Sequence, residues 1–154
     1  MRTRAALAVA TWFGCGLAPK APGTVGSAAA ALIALALHFH AGFQAWHVMA
    51  LGFAACAPAV WASDAAARTL KLKDPQIVVV DEVVGQWIAV GGARDIDWKT
   101  CLAAFALFRL FDIWKPPPVR RLEGLRGGLG IVADDAMAGC YAALVLFLAG
   151  CFNL

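Results

Sequence analysis

Three groups of charged residues stand inside otherwise apolar stretches, and their types point to one chemistry. Asp81-Glu82 directly follows Ile77-Val78-Val79-Val80, and Asp134-Asp135 directly precedes a charge-free stretch. Arg109, Asp112 and Lys115 are spaced i, i+3, i+6, so on a helix they would present cation, anion, cation along one slowly drifting face. Ionisable side chains embedded in apolar segments are costly and usually functional. Carboxylate oxygens in this number suit Mg2+, which is held by one or two carboxylates together with substrate phosphate and water. Arg and Lys beside them suit a phosphate group. The simplest single ligand that uses both is a metal-bound phosphate ester.

Each group also has a purely structural account. Asp134 could cap a helix and complement its dipole. Arg109 and Asp112 could pair with each other, and Asp81 and Glu82 with arginines elsewhere. What favours chemistry is the conjunction: three acidic sites and a cation cluster in a chain with only 15% charged residues.

Other motifs narrow the mechanism. No Cys is followed six positions later by Arg, and no Asp-x-Asp-x-Thr occurs, so phosphocysteine and aspartyl-phosphate loops are absent. His38, His40 and His47 lie in an apolar hairpin, far in sequence from the cations, and read as polar turn residues rather than metal ligands. The stretch 128–133 has the form G-x-G-x-x-A, a weak dinucleotide fingerprint whose context fails because charged residues rather than a strand precede it; it reads equally as a loop whose amides approach a phosphate or as a plain flexible turn. What remains is metal-assisted attack by water or a carboxylate on phosphorus.

The elements that must carry these residues are helices. The 154 residues are 62% apolar with mean hydropathy +0.72 and a net charge of +3. That balance excludes a disordered chain and a nucleic-acid binder, and it is far from an ordinary soluble domain with about 25% charged residues. Residues 21–63 and 136–154 contain no Asp, Glu, Lys or Arg. A bilayer span needs about 20 apolar residues, so the first gap fits a two-helix hairpin and the second a single helix. The expectation is an all-α, multi-pass membrane protein of one domain over 1–154, with about three to five apolar helices. A soluble all-α protein with a greasy core is the alternative. The predicted helices cover 27–40, 43–62 with Pro58 near the end, 76–91, 98–115 and 134–152. Residues 1–25 read as an amphipathic or irregular lead-in, 64–75 as a polar linker and 119–132 as a charged, Gly-rich loop. The five cysteines, without a C-x-x-C pair, read as small buried hydrophobes. The cations at 2, 4, 20, 68, 71, 73, 120, 121 and 126 can all share one side of a membrane, which predicts a cytoplasmic-side site. The sequence leaves the oligomeric state open.

Four blocks together resemble the phosphatidylglycerophosphatase A family: Ala21-Pro-Gly-Thr-Val-Gly-Ser27, Val80-Asp-Glu-Val-Val-Gly85, Phe108-Arg-Leu-Phe-Asp-Ile-Trp-Lys-Pro116, and Gly127-Gly-Leu-Gly-Ile-Val-Ala-Asp-Asp135 with Ala138-Gly139. They stand in the family's order from about residue 14 to 145. The resemblance implies a bacterial inner-membrane, Mg2+-dependent lipid phosphatase that converts phosphatidylglycerophosphate to phosphatidylglycerol and phosphate. On this reading Asp81, Glu82, Asp134 and Asp135 hold Mg2+. Arg109, Lys115 and Arg120 neutralise the terminal phosphate, Asp112 orients a cation or acts as general base, and Lys20 and Thr24 contact the headgroup. Rival readings are a small transporter or channel subunit with an acidic ion path, a membrane scaffold, and a phosphatase for another lipid phosphomonoester.

Overall fold

A computed structural model describes residues 2–152, and within them the chain is all-helical. The helices are α1 (Arg2–Ala10), α2 (Pro22–Ala41), α3 (Ala45–Leu70), α4 (Val80–Val90), α5 (Trp98–Trp114), the four-residue α6 (Val119–Leu122) and α7 (Gly128–Cys151). α2, α3 and α7 have 20, 26 and 24 residues and are long and apolar enough to cross a membrane.

Helix α4 is the axis of the bundle. Every residue of it except Glu82 is buried. On its α2 side, the Trp87 indole donates a hydrogen bond to the Ala30 carbonyl at 3.1 Å. On its α3 side, Gly52 leaves room for Ile88, whose Cγ1 would stand 2.9 Å from a Cβ there. Towards α5 and α7, Gly85 lies under Phe108, and Gly139 abuts the Gly85 backbone so closely that neither position has room for a Cβ. Small residues at crossings let helix backbones approach, which is how helices gain packing energy where lipid removes the hydrophobic drive. The outward faces are apolar instead: Leu32, Phe39, Phe53, Leu102, Ile113 and Phe147 are all exposed. Trp46, Trp61, Trp98 and Trp114 are exposed too, each a side chain suited to the membrane–water interface.

The helices alternate in direction between two ends. Gln44 before α3, Gly91-Gly92 after α4 and Gly150 near the end of α7 line one hollow at the far end. The start of α2, α4 and α7 and the end of α5 meet at the opposite end. At the far end, the α2–α3 turn is closed by Gly42 (φ 67°), by a 2.8 Å bond between His38 Nδ1 and the Phe43 carbonyl, and by the Gln44 amide donating to His47 Nδ1. Those two histidines fasten a turn.

Several boundaries differ from the sequence reading. α2 starts at Pro22, not 27, because proline at the first helical turn lacks only an N–H that would be unpaired anyway. α3 runs through Pro58 and through 64–70, which the sequence reading gave to a linker: Ala66 and Ala67 are buried and Asp64 pairs with Arg68 one turn on. α4 starts at Val80, because Val79 lies outside helical geometry (φ −140°, ψ 5°) and its amide donates to the Ala10 carbonyl at the end of α1. α7 starts at Gly128, not 134, so Asp134 and Asp135 lie in its second turn rather than at its mouth.

Candidate active site

A cavity of about 460 Å3 opens where the helix ends meet. Three helix N-termini face it: Pro22, Gly23 and Thr24 from α2, Asp81 and Glu82 from α4, and Gly127 and Gly130 from α7. An N-terminus carries free amides and the positive end of the helix dipole, so three of them favour anions at one place. This is why α4 can carry two acids in its first turn. Ala21 in the left-handed region (φ 46°) starts α2 so that Gly23 meets Glu82 directly, with no space for a side chain.

The carboxylates form one group at the base. Asp81, Glu82 and Asp135 each offer an oxygen within 4.8 Å of the others. Asp81 Oδ1, Glu82 Oε2 and Asp134 Oδ1 are buried without a hydrogen-bond partner. Around them stand the cations. Arg109 Nη1 lies 2.9 Å from Asp112 Oδ2 and 3.9 Å from Glu82 Oε1, at angles that make ion pairs without a hydrogen bond from that nitrogen. Lys115 Nζ donates to Asp134 Oδ2 at 2.8 Å and lies 3.3 Å from Glu123 Oε2. Lys115 follows α5 in the left-handed region (φ 49°), which turns the chain and its side chain back towards α7. Burial pulls the Lys115 ammonium towards deprotonation, but the bond and charge of Asp134, with Glu123, outweigh it and raise its pKa, so it stays charged.

Seven carboxylates and three cations line the cavity. That excess of negative charge would repel a phosphate unless divalent cations joined it. The donor set of hard oxygens, the unpartnered buried oxygens and the charge excess all fit Mg2+.

The profile of the family described as Phosphatidylglycerophosphatase A matches residues 8–150. The chain belongs to this family. A "Putative phosphatidylinositol-3-phosphatase" of Bacteroides thetaiotaomicron is 41% identical over 92% of this chain and 91% of its own. A "Phosphatidylglycerophosphatase A" of Escherichia coli is 34% identical over 92% and 81%, and one of Haemophilus influenzae is 37% identical over 90% and 85%. No solved structure matches the chain.

Of the phosphatidylglycerophosphatase A residues singled out from sequence, Thr24, Asp81, Glu82, Arg109, Asp112, Lys115, Asp134 and Asp135 all line this one cavity. Asp134 stands apart from the close carboxylate group. Successive helical positions differ by about 100°, and Asp135 packs towards α4 while Asp134 reaches Lys115. Lys20 and Arg120 do not line the cavity. Lys20 is exposed ahead of the α2 entry, and Arg120 sits on α6, whose buried anchor is Val119, and faces solvent. The sequence reading missed Lys73, Asp74 and Gln76, from the segment between α3 and α4, and Glu123, which joins Lys115. From sequence, Lys73 and Asp74 read as part of a polar linker, and only their nearness to Asp81 points to the cavity.

Proposed function

We propose that this phosphatidylglycerophosphatase A family member hydrolyses the terminal phosphomonoester of phosphatidylglycerophosphate with Mg2+, on the cytoplasmic side of a bacterial inner membrane. The observation that carries the reading is one cavity in which three helix N-termini, three unpartnered buried carboxylate oxygens and two paired cations converge. Asp81, Glu82 and Asp135 would hold the metal, with Asp134 beside them. When bound, Mg2+ would polarise a non-bridging phosphate oxygen and balance the charge of the carboxylates.

The chain's own residues do the rest. Arg109 and Lys115 neutralise the charge spread over the phosphoryl oxygens as the group is transferred. Asp112 holds the Arg109 guanidinium in place, and Asp134 with Glu123 holds the Lys115 ammonium. Gly23 and Thr24, in the first turn of α2, line the same cavity, where a helix N-terminus favours an anion. In the reaction, the phosphorus–oxygen bond to glycerol breaks, the departing oxygen takes a proton, and water supplies the fourth phosphate oxygen. The acyl chains stay against the exposed apolar faces.

The cytoplasmic placement is supported by charge. Arg68, Lys71, Lys73, Arg120, Arg121 and Arg126 belong to the site end, whereas the α4–α5 turn and the start of α5 at the far end carry Arg94 and Lys99. An alkaline phosphatase reporter fused after α7 should be active outside the cytoplasm. An inactive one reverses the orientation.

A second reading has its own support. The Bacteroides relative is named for phosphatidylinositol-3-phosphate, so a different distal phosphomonoester is a real competitor. Phosphate release by the purified protein in detergent separates the two. Release from phosphatidylglycerophosphate that needs Mg2+, stops with chelator and exceeds release from phosphatidylinositol-3-phosphate and phosphatidic acid supports the proposal. Faster release from the phosphoinositide replaces the substrate, and no release from any of them by folded protein removes the phosphatase reading.

A further inference from the structure

The cavity has a base and a rim, and their side chains are in different states. At the base, both cations are committed: Arg109 to Asp112 and Glu82, Lys115 to Asp134 and Glu123. At the rim, Lys73 lines the cavity, is exposed, and has no carboxylate within ion-pair distance among the described residues. Thr24 and Gln76 line the same rim, exposed and without a side-chain hydrogen bond among the described residues. Asp74 beside Lys73 also faces the cavity, on the side of Asp81. The rim therefore offers one uncommitted cation, and a hydroxyl and an amide share the cavity lining with it.

The substrate has matching parts. Phosphatidylglycerophosphate carries a phosphomonoester at its tip and a phosphodiester nearer the acyl chains, joined by three carbons with a hydroxyl on the middle one. With the tip at the carboxylate group in the base, the bridge must leave through the rim. Phosphatidylinositol-3-phosphate shares the order of a diester followed by a distal monoester, whereas phosphatidic acid has no diester. We propose that Lys73 holds the headgroup phosphodiester at the cavity rim, with Thr24 and Gln76 beside the bridging hydroxyl, and so selects lipids with two phosphates over those with one. This rests on the phosphatase reading and assigns the second half of its substrate site.

The test uses two competitive inhibitors in mixed micelles with the whole protein. Phosphatidylglycerol retains the diester and lacks the tip, while inorganic phosphate imitates the tip alone. Loss of a charge-assisted contact weakens an equilibrium constant by about tenfold or more. Lys73→Met should weaken inhibition by phosphatidylglycerol and raise KM for phosphatidylglycerophosphate by about tenfold or more. It should move inhibition by inorganic phosphate much less, and Lys73→Arg should restore most of the loss. Equal shifts for both inhibitors, or no shift for phosphatidylglycerol, would overturn the assignment while leaving wild-type phosphatase activity in place. A wild-type protein that releases no phosphate would instead sink the underlying reading and this inference with it.

Discussion

Gly23→Ala should abolish most activity while leaving the fold intact. In an exposed helix, alanine is favoured over glycine by up to about 1 kcal/mol, so by propensity alone the change stabilises. The site reverses that expectation for function. A Cβ at position 23 would stand 2.9 Å from Glu82 Cδ, overlap Glu82 Oε1 outright, and lie 3.5 Å from Arg109 Nη1. Glu82 is the movable partner, so its carboxylate has to withdraw by about 1 Å, a displacement that can cost a hundredfold in rate when the group positions reactants. A hundredfold corresponds to about 2.7 kcal/mol in the activation barrier. The assay is Mg2+-dependent phosphate release beside thermal unfolding of the same preparation. The expected result is a kcat lower by about a hundredfold with a Tm unchanged or slightly raised. Gly139→Ala is the contrasting control, because its Cβ would strike the Gly85 backbone, which cannot yield as a side chain can. That variant should lose about 1–3 kcal/mol of stability. Near wild-type turnover in Gly23→Ala would refute the claim that Glu82 must occupy its present position.

Three further outcomes follow from the same geometry. Asp135→Asn should remove one of three converging carboxylates; binding of Mn2+, followed by electron paramagnetic resonance, should weaken by about tenfold or more, whereas unaltered binding would place the ion elsewhere. Lys115→Met strands the buried Asp134 carboxylate and should destabilise the protein by up to about 3 kcal/mol. Adding Asp134→Asn should restore Tm without restoring activity, and a double variant as unstable as the single one would contradict the pairing. Lys20→Ala and Arg120→Ala, which sit off the cavity wall, should change kcat/KM by less than about threefold, near the small effects of exposed charges; a loss above tenfold would bring either back into the site.

The sequence by itself determined the fold class and singled out most of the residues that gather at the candidate site. Two charge-free stretches and the scarcity of charge require apolar helices, because backbone groups in lipid must be paired within the segment. Acids embedded in apolar segments are costly, so Asp81, Glu82, Asp112, Asp134 and Asp135 stood out as candidates from residue type and setting alone. Arg109 and Lys115 were legible from their spacing around Asp112.

Tertiary structure decided everything that depends on which helix end meets which. Periodicity marks a helix but not where it begins when glycine and proline fill the entry, and so the starts of α2 and α7 fell several residues earlier than expected. That shift is what puts two further N-termini against the Asp81–Glu82 turn. The division of labour between neighbours also needed the fold. Asp134 and Asp135 are alike in sequence, yet packing turns one to a lysine and the other to the carboxylate group. Lys20 and Arg120 have the right charge but lie off the wall, and Lys73 lies on it. A cation's type states what it can bind, whereas only the packing of the helix ends states what lies within its reach.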